Sequence, residues 1–137
     1  MKTIIVVGCA NKKKSYPCEA RELYSESQLF SKTVAYINSY YNDSYVILSA
    51  KYGVVSPTRI IEPYDVSMKQ ISPEERKFII STIRYTLGMY PKIIALCGSD
   101  YVKVLKEALP DACVIEPMKG MGIGQRLHFL TERCSGV

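Results

Sequence analysis

A loop crowded with polar side chains follows the short apolar run 46–48, and its residue types could do chemistry. Ligands of open α/β sheets collect beyond the carboxyl ends of strands, so Ser49, Lys51, Glu62 and Tyr64 are candidates for a binding rim. Glu62 could serve as a general base or stabilise a cationic intermediate, while Lys51 could hold phosphate and Tyr64 could stack on a base. The alternative is a loop that only packs, with Tyr64 as a lid and Lys51 solvated.

A second candidate loop, residues 8–16, follows the first apolar run and contains three consecutive lysines. Lys12 and Lys13 could hold a phosphate or carboxylate, and Cys9 would be nucleophilic if they lowered its pKa. The loop has neither the Walker spacing nor the Gly-x-Gly-x-x-Gly spacing. The alternatives are that the lysines form a solvated charge run and that Cys9 is a small buried residue closing the strand. A nucleophilic Cys-His pair would need His128, the one histidine, beside Cys9, and His128 is better explained as packed or solvated.

Two further segments could contribute to binding. Arg21 can present a planar fork to a carboxylate or phosphate, and Tyr24 can stack on a base while its hydroxyl stays in water. Gly120, Gly122 and Gly124 precede a predicted helix, where exposed backbone N–H groups could bind an anion. The alternatives are an exposed arginine, a packing tyrosine and a tight glycine turn.

The elements that must position these residues follow from apolar runs and helical spacing. Strands are predicted at residues 3–7, 45–49, 92–97 and 113–115, and helices at 27–41, 73–87, 100–109 and 125–133. Asn42 and Asp43 are predicted to break the first helix. Alternation of strands and helices favours parallel strands with right-handed crossovers. The predicted fold is α/β: a three-layer α/β/α sandwich around a mostly parallel four-stranded sheet.

Composition narrows the function classes. A chain of 137 residues fits a single α/β domain over residues 1–137. The net charge of +5 and the pI near 8.9 favour an anionic partner, such as a nucleotide or nucleic acid. Five cysteines without an export signal indicate a reducing cytoplasm. No apolar run is long enough for a membrane span, no spacing suits a metal, and no cofactor is predicted.

The motifs occur in a familiar order along the chain. They are a Cys-x-x-x-Lys loop, an Ala-Arg-x-Leu-Tyr segment before Leu-Phe, a Leu-Ser-Ala-Lys-Tyr-Gly-Val strand end, an Ile-x-Pro-Tyr-Asp loop and a Gly-x-Gly-Ile-Gly helix start, at residues 9–13, 20–24 with 29–30, 48–54, 61–65 and 120–124. This order resembles a family of small uncharacterised bacterial and phage domains. It is also similar to the larger peroxide-stress protein YaaA family, although this chain has about half the length such a protein would need. The loop 9–25 more faintly resembles the core domain of archaeosine synthase.

These resemblances imply a Rossmann-like or uracil-DNA-glycosylase-like domain, and the YaaA family's links to DNA binding and oxidative stress. We therefore predict a cytoplasmic protein that acts on or binds a nucleobase, nucleotide or nucleic acid, through base-modifying or N-glycosidic chemistry. A non-catalytic nucleic-acid-binding or oxidative-stress-response module is the alternative, and a redox sensor that uses Cys9 or Cys18 is a third reading. The substrate, the presence of turnover and the oligomeric state are left open.

Overall fold

The structure, a computed structural model, describes residues 2–41 and 44–135. The strands are Thr3–Gly8 (β1), Cys18–Glu19 (β2), Tyr45–Ser49 (β3), Gly53–Val55 (β4), Ile60–Ile61 (β5), Lys92–Leu96 (β6) and Cys113–Ile115 (β7). The helices are Ala20–Leu23 (α1), Gln28–Tyr40 (α2), Pro73–Leu87 (α3), Ser99–Ala108 (α4) and Ile123–Ser135 (α5), with a 3₁₀ turn at Met68–Gln70.

Among the described residues, the central sheet has five strands in the order β4-β3-β1-β6-β7. β3, β1, β6 and β7 run parallel, as predicted, whereas β4 is antiparallel to β3. The prediction of four strands is therefore wrong by one. The fifth strand arises because Gly53 adopts φ +75°, a left-handed conformation that glycine tolerates, and this reverses the chain into a hairpin.

The pairings confirm a mostly parallel α/β sheet, and burial along β1 shows how both of its faces are covered. Ile4 and Val6 pack with the apolar faces of α3 and α4, while Ile5 and Val7 pack with residues of α2 and α5 on the opposite face. Such alternation follows from the two-residue period of a strand. Helices therefore cover both faces of the sheet.

The local signals at the helix ends agree with the predicted boundaries. Ser72 and Glu75 form a reciprocal capping box at the start of α3, with Pro73 in the first turn. Ser27 caps α2 through a bond from the Phe30 N–H. The predicted break at residues 42–43 lies outside the described residues.

Strand order also determines where a crevice can form. From β1 the chain moves through α2 to β3 on one side, and later passes through α3 to β6 on the other side of β1. The connections after β1 and β6 therefore lead to helices on opposite faces of the sheet. In open α/β sheets this reversal leaves a crevice at the carboxyl ends of the two strands, and ligands bind there.

No helix within residues 2–41 and 44–135 combines the length and the apolar character that a membrane crossing requires.

Candidate functional site

A cavity of about 520 Å³ lies at the carboxyl ends of β1 and β6, where the strand order reverses. Cys9 and Lys12 line it from the loop after β1, and Cys97 and Ser99 line it from the connection after β6. Arg126 of α5 contributes to the wall as well. The volume falls within the range of small-molecule sites, about 300–1,000 Å³.

Arg126 has an unsatisfied polar atom at this cavity. Its Nε is buried and has no hydrogen-bond partner in the part of the chain that the structure describes. Two of its guanidinium nitrogens lie 3.8 and 4.0 Å from the position that a Cβ on Gly98 would occupy, so the guanidinium lies beside the start of α4. A buried donor without an acceptor costs about 1–3 kcal/mol. Arg126 itself lines the cavity, so its guanidinium is a candidate for contact with a ligand.

The start of α4 also offers hydrogen-bond donors to a ligand in this cavity. Gly98 is the N-cap residue and offers no side-chain cap; the Tyr101 N–H bonds to the Gly98 carbonyl, and the N–H groups of Ser99 and Asp100 are left for other acceptors. Ser99, the first residue of the helix, lines the cavity. Backbone donors, the Ser99 hydroxyl and the Arg126 guanidinium together form a cationic, donor-rich wall that suits an anion.

The rest of the cavity is mixed in character. Lys12 and Lys69 add positive charge, and Asp100 adds a carboxylate whose Oδ2 lies 3.8 Å from the Lys69 Nζ. Phe30 and Met118 supply apolar surface. A ligand with an anionic part and a flat apolar part would match this lining.

Two cysteines, Cys9 and Cys97, line the cavity, and their surroundings differ. The Cys9 backbone N–H bonds to the Leu48 carbonyl at 3.1 Å, and the Cys9 Sγ lies 3.0 Å from the Tyr101 Oη. Cys97, on the neighbouring strand end, approaches so closely that a Cβ on Gly8 would lie 3.0 Å from the Cys97 Cβ. Burial raises the pKa of the Cys97 thiol to about 12, so Cys97 remains protonated and unreactive at neutral pH.

A buried hydroxyl cluster lies behind the loop after β3. The Ser49 Oγ donates to the Tyr64 Oη at 2.8 Å, and the hydroxyls of Tyr64 and Tyr24 lie 2.6 Å apart. Burial raises the pKa of Tyr64 and of Tyr24. Ser49 and Tyr24 have no exposed surface, so the expectation that the Tyr24 hydroxyl stays in water is wrong, because it is used in packing and hydrogen bonding. Ligand contact by Ser49 stays a prediction, although its hydroxyl is engaged within the cluster.

Lys13 joins this cluster from the first loop. Its Nζ lies 4.4 Å from the centroid of the Tyr64 ring and donates to the Asn11 carbonyl at 3.2 Å. Burial lowers the pKa of Lys13. The loop after β1 therefore meets the segment after β5, and Tyr64 of that segment is bonded to Ser49 at the end of β3. Lys13 contacts Tyr64, whereas Lys12 lines the cavity.

The other candidate residues lie away from the cavity wall. Lys51 lines a separate groove. The Glu62 side chain is exposed and forms no ion pair with any described residue, and Arg21 pairs with Glu19 at 2.8 Å on the surface. Gly120, Gly122 and Gly124 do not line the cavity, although their segment carries Met118, Ile123 and Arg126 into it.

Sequence reasoning missed the connection after β6 and Arg126. The available signal was the Gly98-Ser99-Asp100 segment directly after a strand, a pattern equivalent to the one noted after β1. No group of three or more potential metal ligands occurs among the described residues.

Fold and site together define an open α/β domain with a donor-rich cavity at the reversal of strand order. The chain belongs to the family of unknown function DUF6884, whose model matches residues 4–132. A solved structure described as "Crystal structure of AF0587, a protein of unknown function" is similar, with 16% identity and a TM-score of 0.51. The match covers 96% of this chain and 44% of that one. A comparison with curated proteins gave no match.

Proposed function

We propose that this cavity binds a nucleotide, with the phosphate against Arg126 and the start of α4. The observation that carries the proposal is Arg126, a guanidinium without an ion pair among the described residues, in the wall of a cavity at the reversal of strand order. A phosphate would pair with the positive charge of the Arg126 guanidinium, and the helix N-terminus favours the same charge. The apolar surface of Phe30 and Met118 could then cover the base.

Cys9 is the residue we propose to contact the reacting atoms, because it lines the cavity and its Sγ lies 3.0 Å from the hydroxyl of Tyr101, another lining residue. The proposed chemistry is modification of the base or cleavage of its glycosidic bond. Glu62 has no part in this proposal, since its side chain lies outside the cavity wall. A Cys9→Ala variant that binds nucleotide but turns nothing over would agree with this role.

The finer fold type and the cellular setting belong to the same proposal. A Rossmann-like or uracil-DNA-glycosylase-like domain is supported by the parallel strands and by the position of the cavity. Kinship with the YaaA family, and with it a role in peroxide stress, is supported by the order of the motifs between residues 9 and 124. A cytoplasmic location is supported by free cysteines at five positions.

The test is calorimetric titration of the protein with the four ribonucleoside monophosphates and with the matching nucleosides. Arg126→Ala removes a charge-assisted bond, so we expect a loss of nucleotide affinity of about tenfold or more. Arg133→Ala is the matched control, because Arg133 lies on the same helix, is exposed and does not line the cavity. Its affinity should equal that of the wild type.

Two results would contradict the proposal. The first is that no monophosphate binds at millimolar concentration. The second is that Arg126→Ala and Arg133→Ala weaken binding equally, which would indicate diffuse charge and no defined phosphate contact. Binding without turnover of any monophosphate would favour the non-catalytic alternative.

A further inference from the structure

A second concave surface lies between the outer face of α3 and the hairpin formed by β3 and β4. It has a volume of about 580 Å³ and is open to solvent. We call it the α3–β4 groove, and its principal lining residues are Lys51, Tyr52, Arg59, Phe78, Thr82 and Tyr85. None of these residues lines the cavity at β1 and β6.

Exposed aromatic rings form one side of the groove. Tyr85 is 91% exposed and Phe78 is 52% exposed. The two residues are seven positions apart on α3, so they share a face of the helix and lie roughly 10 Å apart along its axis. These rings add almost nothing to the core, and they are available to a flat ligand.

Positive charge gathers on the opposite side. The Lys51 Nζ and the Arg59 Cζ each lie 5.4 Å from the centroid of the Tyr52 ring. Neither residue forms an ion pair within the described part of the chain, and no acidic side chain is among the described residues that line the groove. Two cations without ion pairs near one ring favour an anionic ligand.

The serine and threonine hydroxyls in the groove are already engaged as donors. Ser81 donates to the Phe78 carbonyl, Thr82 to the Ile79 carbonyl and Thr86 to the Thr82 carbonyl. Lys51 and Arg59 are therefore the cationic donors for an anion here, beside the tyrosine hydroxyls of the groove.

We propose that the α3–β4 groove binds single-stranded nucleic acid, with bases stacked on Phe78 and Tyr85 and phosphates held by Lys51 and Arg59. Single strands present their bases to aromatic side chains, and a basic groove follows their backbone. In a duplex the bases already stack on one another, so the rings would find no partner. An acidic peptide could use the two cations but would gain little from the exposed rings.

The test is fluorescence anisotropy with a labelled single strand of about 12 thymidines, a length within the site sizes of single-strand binders. Tyr85→Ala should weaken binding about fivefold or more, since stacking on one ring accounts for at least that much. Tyr16→Ala is the matched control, because Tyr16 is 54% exposed and lies outside the groove. Tyr85 is so exposed that its removal leaves folding unaffected, which a melting curve checks.

A salt titration tests the phosphate contacts separately. Each phosphate contact on a single strand contributes about 0.7 to the slope of log K against log salt. The double variant Lys51→Ala/Arg59→Ala should therefore lower the slope by about 1.4. The control pair Lys2→Ala/Lys103→Ala removes the same charge at exposed positions outside the groove and should change the slope far less.

Three results would overturn this inference. The first is that Tyr85→Ala binds the oligonucleotide as tightly as the wild type does. The second is that a duplex of the same length binds with equal affinity. The third is that an acidic peptide displaces the oligonucleotide and that Tyr85→Ala does not weaken binding of this peptide. The outcome is separable from that for the cavity, because mononucleotides and Arg126→Ala test the cavity while Tyr85→Ala leaves that wall intact. A labelled strand that remains bound at saturating mononucleotide would support two distinct sites.

Discussion

Replacing Ser49 by alanine should destabilise the fold and leave ligand affinity unchanged. The Ser49 Oγ accepts from the N–H groups of Lys51 and Tyr52 at 3.1 and 3.0 Å, and donates to the Tyr64 Oη at 2.8 Å. Each hydrogen bond contributes about 1 kcal/mol net, so the variant should lose about 3 kcal/mol of the free energy of unfolding. For a chain of this length that loss corresponds to a fall in Tm of roughly 10 °C.

Urea denaturation followed by circular dichroism measures this loss directly. Ser81→Ala is the control, because Ser81 is exposed and its hydroxyl bonds only to a carbonyl of its own helix; it should change stability by less than about 0.5 kcal/mol. A loss below about 1 kcal/mol in Ser49→Ala would refute the reasoning about the hydroxyl cluster. So would a variant that keeps full stability but loses nucleotide affinity, since Ser49 would then be a ligand contact.

Two further predictions concern a glycine and a cysteine. Gly53→Ala should lower the free energy of unfolding by about 2–3 kcal/mol, because φ is +75° and the new Cβ would lie 2.2 Å from the Thr82 Oγ1. Calorimetric melting measures this loss. Gly124→Ala is the control, because no atom lies within 4 Å of its Cβ position and no loss is expected. Burial raises the pKa of Cys97 to about 12 in the folded state, so the thiol loses its proton more readily in the unfolded chain. Its contribution to the free energy of unfolding is therefore complete below about pH 9 and is lost as the pH rises toward 12. Urea titrations from pH 8 upward should therefore show a shallower decline of stability in Cys97→Ala, and an equal decline would contradict the burial argument.

The secondary structure was largely predictable because its signals are local. The apolar runs at 3–7 and 92–97 and the capping residues around Ser72 each act within a few positions of the chain. β4 was missed because three residues offer too little pattern, and because the reversal depends on the contact of Gly53 with Thr82 of α3. A contact between distant segments leaves no periodicity to detect.

The site was harder to predict, for a related reason. Cys9 and Lys12 were identified because they follow a recognisable strand, whereas Arg126 reaches the cavity only through the packing of α5 beside α2. Polar residues after a strand also look alike whether they face a cavity or a packed interior. Ser49 and Tyr24 were therefore assigned to a ligand, although both are fully buried.

The hydrogen bond between edge strand β4 and helix α3 affects whether copies of this protein can associate through their sheets. The Val54 N–H bonds to the Thr82 Oγ1 at 3.3 Å, so this outward donor of the edge strand already has a partner. A free strand edge invites another chain to extend the sheet, and such edges are starting points for aggregation. At the opposite margin β7 is only three residues long, which limits the template it offers. Both edges of the sheet thus disfavour pairing with another copy of the chain. A side-chain acceptor occupies an outward donor at the β4 edge, and the β7 edge is short.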